Sequence, residues 1–157
     1  MQLMRERDSD PMIARIDTDL PASADDVWHT LLRRDTFLHI TRGLLGFRGS
    51  ETWPEVFQEG TVIKTRLLFF HVIPGWQHTL TVVQVDQEHL TLASEEGGGV
   101  VRTWNHRIWL EPMTDSRCRY TDEIEIEAGP FTPLIWAWAH VFYRYRQRRW
   151  RRLARDL

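Results

Sequence analysis

GPFTPLIWAWAHVFYRYRQRRWRRLARDL, residues 129 to 157, decides the fold. Gly129 and Pro130 break the chain, and no glycine or proline follows Pro133, so one long helix can run to the end. Its first half is apolar on every side, from Leu134 through Trp136, Trp138 and Val141 to Tyr143, whereas its second half carries arginine on most faces. The pattern predicts burial on most sides at the start, and contact with water or an anion at the end. The stripe Ile135, Trp138, Ala139, Phe142 has i, i+3, i+4, i+7 spacing and is the face expected against the rest of the fold, with Trp138 largely buried. Prolonged, the stripe brings Arg146, Arg149 and Leu153 to nearly the same side, and Arg146 is expected to pair with a carboxylate of the body.

The segment before this helix reads as strands. From Gly60 the apolar period is two: Thr61, Ile63, Thr65, Leu67 and Phe69 share a face, and residues 71 to 75 turn the chain. Strands are expected over residues 76 to 85 and 89 to 94, and Gly97, Gly98 and Gly99 then form a hairpin turn, where positive φ comes freely. In residues 100 to 110, Trp104, His106, Ile108 and Leu110 face one way. In residues 117 to 127, Cys118, Tyr120, Asp122, Ile124 and Ile126 face inward, and Arg119, Thr121, Glu123, Glu125 and Glu127 face solvent. Nearer the N-terminus, a strand over residues 14 to 20 precedes a short helix to about Arg33, with Ser23 as its N-cap and Asp25 and Asp26 in the first turn. A weaker helical turn from Asp35 and a short strand at residues 44 to 47 follow. One polar sheet face, a run of antiparallel strands and a single long helix make a two-layer α+β domain.

At 157 residues, with 42% hydrophobic composition and eight Trp, the chain reads as one globular domain, residues 1 to 157, with residues 1 to 11 as a flexible N-terminal segment. The charged N-terminus lacks the apolar run of a signal peptide, and Cys118 alone forms no intrachain disulfide, so a reduced cytoplasmic setting is expected. The longest uncharged apolar run, residues 131 to 143, is too short to span a bilayer core of about 30 Å. Net charge is −8 over residues 1 to 143 and +6 over residues 144 to 157. A body so acidic repels nucleic acid, while the Arg-rich helix end, with Trp150 among its arginines, suits an anionic partner.

The stretch Leu20-Pro21-Ala22-Ser23-Ala24-Asp25-Asp26-Val27-Trp28 resembles the opening of the START-like (SRPBCC) superfamily, in which a strand ends in a Pro-Ala-Ser entry to the first helix. That superfamily includes polyketide cyclase/dehydrases, birch-pollen-allergen relatives and lipid-transfer domains, and the resemblance spans about residues 12 to 155. It implies a helix-grip fold, in which a curved antiparallel sheet with two short N-terminal helices closes around one long C-terminal helix. It also implies a cavity for an apolar or amphipathic small molecule between sheet and helix. No catalytic set is common to the superfamily, so none is carried over.

Motifs for nucleotide, zinc or serine chemistry are absent from the sequence, and the seven His lack metal-ligand spacing. Neither a metal nor another cofactor is expected. His106 and Asp122, with Tyr120 beside them, point inward from neighbouring strands. Such a pair can serve as general acid and base on a bound carbonyl compound, or simply satisfy each other as buried polar groups. The expected function is binding of a hydrophobic small molecule, lipid or polyketide-like, against Ile63, Leu67, Phe69, Trp104, Tyr120, Trp138 and Phe142. Two alternatives stand beside it: a cyclase- or dehydratase-like enzyme using His106 and Asp122, and an interaction module using the Arg-rich helix. Tight binding to nucleic acid or membrane is not expected, and the sequence leaves the oligomeric state open.

Overall fold

The computed structural model describes residues 10–157, so the segment expected to be flexible lies outside the described residues except for its last two positions. Strand β1 (Met12–Leu20) leads into α1 (Ala24–Leu31) and α2 (Arg34–Thr41). Helix α1 starts where Ser23 Oγ accepts the Asp26 N–H at 3.1 Å, and Asp25 and Asp26 meet the positive end of its dipole. Strands β2 (Leu45–Phe47), β3 (Val62–Phe69), β4 (Ile73–Asp86), β5 (Thr91–Gly98), β6 (Val101–Thr114) and β7 (Arg117–Glu127) follow. Helix α3 (Thr132–Leu153) completes the chain but for one short turn. The seven strands are antiparallel in the order β1-β7-β6-β5-β4-β3-β2.

The expected strand boundaries shift where the sheet bends. Register slips between Arg66 and Leu68, between Val82 and Gln84, between Glu96 and Gly98 and between Pro112 and Thr114 insert bulges that curl the sheet. Strand β4 therefore begins at Ile73, and Pro74, expected in a turn, pairs with Leu68 beside a bulge, where a missing N–H is tolerated. Likewise β5 runs through Gly97 and Gly98, which confines the turn to Gly99 and Val100. Gly99 sits at φ 54° under the Trp76 indole, where any Cβ would collide with the ring.

Helix α3 lies in the concave face, chiefly along β1. Gln147 Nε2 donates to the Ile16 carbonyl at 2.8 Å and Arg151 to the Thr18 hydroxyl at 3.3 Å, while Arg149 Nε donates to the His39 carbonyl of α2 at 2.7 Å. Arg149 and Arg151 of the Arg-rich half thus dock on uncharged oxygens. The expected buried stripe is rotated: Thr132, Ala139, Tyr143, Gln147, Trp150 and Ala154 are the deeply buried positions, together with Phe142 and Arg146. Trp138 is only half-buried, because it sits at the edge of the space between helix and sheet. Nor is the first half of α3 buried on most sides, since Leu134 and Val141 are exposed on its outward face. On β7, Thr121 belongs to the convex side yet is buried; it pairs with Trp109, over which the guanidinium groups of Arg15 and Arg107 stack at 5.0 and 5.4 Å.

Apolar packing is concentrated at three places, of which the first, joining Ala14, Ile16, Ile124 and Ile126 of β1 and β7 to Ala139, Phe142 and Tyr143, lies beneath the first half of α3. A second joins Leu20, Trp28, Leu110, Tyr120 and Trp150 beneath the second half of α3. A third joins Trp53, Phe57, Ile63 and Val82 under α2 and β3. Between them the interior is hollow.

Candidate functional site

The hollow is a cavity of about 250 Å³ whose surface is overwhelmingly apolar. Strand β3 contributes Ile63, Thr65, Leu67 and Phe69, because the curled sheet directs alternate residues into the concave side. Strands β4 to β6 add Trp76, Leu80 and Trp104; α2 adds Phe37 and Thr41; and α3 adds Ile135, Trp138, Phe142, Tyr143 and Arg146. Aromatic rings pack against one another around it: Trp138 stacks on Phe142 at 6.1 Å, and Phe69 meets Trp76 edge-on at 5.6 Å. Of the residues expected to contact a ligand, Ile63, Leu67, Phe69, Trp104, Trp138 and Phe142 line this space. Tyr120 does not; its position on β7 places it under the other half of α3, packed on Trp150 at 5.5 Å.

His106 and Asp122 meet as the alternation predicts. In the β6–β7 register Ile108 is paired with Asp122, so His106 is its diagonal neighbour on the same face. His106 Nε2 lies 2.7 Å from Asp122 Oδ1, and both residues are buried, at 7% and 0% exposure. Asp122 also accepts from Tyr120 at 3.4 Å and from Gln147 Nε2 at 3.0 Å. The sequence reading missed Gln147, although an uncharged amide amid six flanking arginines, one turn after Tyr143, was a usable signal. Neither His106 nor Asp122 lines the cavity. They reach it through Tyr143, whose hydroxyl lies 3.4 Å from His106 Nδ1 and accepts from Trp104 Nε1 at 3.2 Å. Burial, helped by the charges of Glu96 and Asp122 and opposed by Arg146, pushes the Tyr143 pKa up, so this hydroxyl keeps its proton.

A second histidine–carboxylate pair, also missed, does line the cavity. Glu96 is registered with Leu80, which makes His78 its diagonal neighbour, and His78 Nε2 lies 2.9 Å from Glu96 Oε2. Ser94 donates to the other carboxylate oxygen at 2.8 Å. Burial alone would raise the Glu96 pKa, but the hydrogen bond and charge of His78 outweigh it and the net shift is downward. The expected strand end at Ser94 had hidden this pair, since an inward position at 96 requires β5 to continue. Arg146, expected to pair with a body carboxylate, forms no ion pair among the described residues. Its guanidinium instead lies 4.9 Å from the centre of the Tyr143 ring and 5.8 Å from those of Phe37 and Phe142.

Among the described residues no cluster of three or more His, Cys, Asp or Glu is arranged to hold a metal, and no helix is long and apolar enough to cross a membrane. The site is an apolar cavity with a histidine–carboxylate pair, a tyrosine hydroxyl and a guanidinium at its wall.

The family described as a domain of unknown function, DUF8410, matches residues 18–155. The chain belongs to this family. Among curated proteins none matches this DUF8410 chain. Solved structures supply its fold relatives. Norcoclaurine synthase from Thalictrum flavum, solved with dopamine and hydroxybenzaldehyde, aligns at a TM-score of 0.68 and 15% identity over 99% of this chain and 93% of that one. A START superfamily protein from Mycobacterium smegmatis aligns at 0.69 and 11% identity, over 92% and 97% of the two chains. The Zhui aromatase/cyclase from Streptomyces sp. R1128 aligns at 0.67 and 13% identity, over 92% and 94%. The DUF8410 chain thus has the START-like helix-grip fold, with its seven-stranded curled sheet and long C-terminal helix.

Proposed function

We propose that this DUF8410 protein binds a hydrophobic or amphipathic small molecule in the cavity between β3–β6 and α3. The carrying observation is the cavity itself: about 250 Å³, walled by aromatic and aliphatic side chains between the sheet and α3. An interior that served stability alone would be filled, because voids of this size forfeit packing energy. One fold relative, norcoclaurine synthase, solved with dopamine and hydroxybenzaldehyde, is consistent with such a ligand. The binding reading needs neither a cofactor nor a metal, and we propose a carrier that works in the cytoplasm. The Arg-rich helix end, docked on α2 and β1, leaves nucleic acid and membrane as weaker candidates for partners. Native mass spectrometry of the purified protein tests the reading: a bound species of a few hundred daltons, removed by organic solvent, is expected. A protein that carries nothing and binds no apolar dye would contradict it.

One observation favours a second reading, a cyclase- or dehydratase-like enzyme. The chain of contacts Asp122–His106–Tyr143 ends on the cavity wall, with a protonated hydroxyl able to hydrogen-bond a substrate carbonyl and stabilise charge that develops on its oxygen. In that reading His106 and Asp122 are positioning residues and Tyr143 meets the substrate. Tyr143→Phe would abolish turnover of a bound carbonyl compound while leaving its binding intact; equal turnover by the variant would remove this reading.

A further inference from the structure

Arg146 is 3% exposed, lines the cavity, and its Nε–H has no hydrogen-bond partner among the described residues. A buried guanidinium without an acceptor is costly, because desolvation is not repaid by a partner. The nearby carboxylates do not serve it. Asp122 is committed to His106, Tyr120 and Gln147, and Glu96 to His78 and Ser94. Burial would lower the Arg146 pKa, but Tyr143 and the charges of Asp122 and Glu96 hold it above its ordinary value, so the group stays cationic. Two further buried atoms without partners, Trp76 Nε1 and His78 Nδ1, belong to residues of the same cavity wall. Among the described residues two more such atoms, His140 Nε2 and Trp150 Nε1, lie away from the cavity, so three of the five belong to residues of its wall, and of these only Arg146 carries a fixed charge.

We infer that the ligand is an apolar carboxylate, whose two oxygens take the fork of Arg146 while its hydrocarbon or aromatic body fills the space among Ile63, Leu67, Phe69 and Trp138. Guanidinium is planar and presents parallel N–H groups, so a two-oxygen anion matches it where an alcohol or amine does not. The Tyr143 ring lies beside the same guanidinium, its centre 4.9 Å from the guanidinium carbon, and holds it at the cavity wall. The inference rests on the cavity-binding reading and adds the ligand's polar end to it.

The test compares 2-naphthoate with 2-naphthamide and with uncharged 2-methylnaphthalene, titrated at pH 7 against the full chain by tryptophan fluorescence and calorimetry. The wild-type protein is expected to bind the acid at least about tenfold more tightly than the amide. Arg146→Met should bring the two within about threefold of each other, while still binding 2-methylnaphthalene; Arg146→Gln serves as a second variant should the first fail to fold. Equal affinity of the wild-type protein for acid and amide would overturn the Arg146 assignment and leave the cavity reading standing. A preference for the acid that survived in either variant would also overturn it. Binding of none of the three compounds would overturn both.

Discussion

The two halves of α3 meet the same sheet and end in opposite states. Beneath the second half, Trp150 is fully buried against Tyr120 and joins Leu20, Trp28 and Leu110 in a filled core. Beneath the first half, one side (Ala139, Tyr143) packs on β1 and β7, while on the other Trp138 is half-buried, stacks on Phe142 and borders a void. Two tryptophans twelve residues apart on one helix therefore do different work: one closes the grip and the other walls what the grip holds. Aromatic content does not separate the two regions, and helix rotation against a curled sheet does.

The comparison is most exposed at the tryptophans themselves. Trp150→Ala should lower stability by about 3 to 5 kcal/mol, the range for emptying a filled core of a large aromatic. Trp138→Ala, which removes a ring already in contact with empty space, should lower it by no more than about 1.5 kcal/mol. Urea unfolding of both variants measures this, and equal losses would erase the distinction between the halves.

Asp122→Ala tests the boundary between the halves, where β6 and β7 bury their polar network. His106 and Gln147 would each be left with a missing acceptor, for a loss of roughly 1 to 3 kcal/mol apiece. A variant as stable as wild type would show the network to be incidental.

A smaller, pH-dependent effect is expected from Glu96. Its folded pKa lies below the ordinary 4.5, so the carboxylate contributes stability above that value and loses it as pH falls through the lower folded value. Wild type should exceed Glu96→Gln most at pH 7, and the gap should close as the solution becomes more acid than about pH 4. A gap independent of pH would mean that Glu96 does not hold its pairing with His78. The smallest effect is a silence: Cys118, in the filled half, has its thiol pushed up to about 11 by burial and by the charge of Asp19. It should resist an aromatic disulfide reagent at pH 8 in the folded protein and react at once in urea. Prompt reaction when folded would show that the filled half opens.

The sequence disclosed the halves unequally, for physical reasons. Strand β7 and the Ser23 cap were legible to the residue, since alternation and capping are local rules. The meeting of His106 with Asp122 followed from the same alternation, because a hairpin partner is fixed by the neighbouring strand. The burial of Trp138 rather than Trp150 was misjudged because apolar residues surround the first half of α3, and the 3.6-residue period selects no face where every face is apolar. The His78–Glu96 pair and the unpaired Arg146 were out of reach for another reason. Both depend on where bulges curl the sheet, and a bulge shifts register by one residue without a strong local signature.

The central claim is that the hollow half is a binding site, and a side chain placed inside it tests that most directly. Leu67→Trp should occupy the space beneath α3, leave the protein folded and at least as resistant to urea, and reduce the binding of 2-naphthoate and 2-methylnaphthalene about tenfold or more. Undiminished binding of both compounds by a folded Leu67→Trp protein would place the ligand elsewhere and contradict the account.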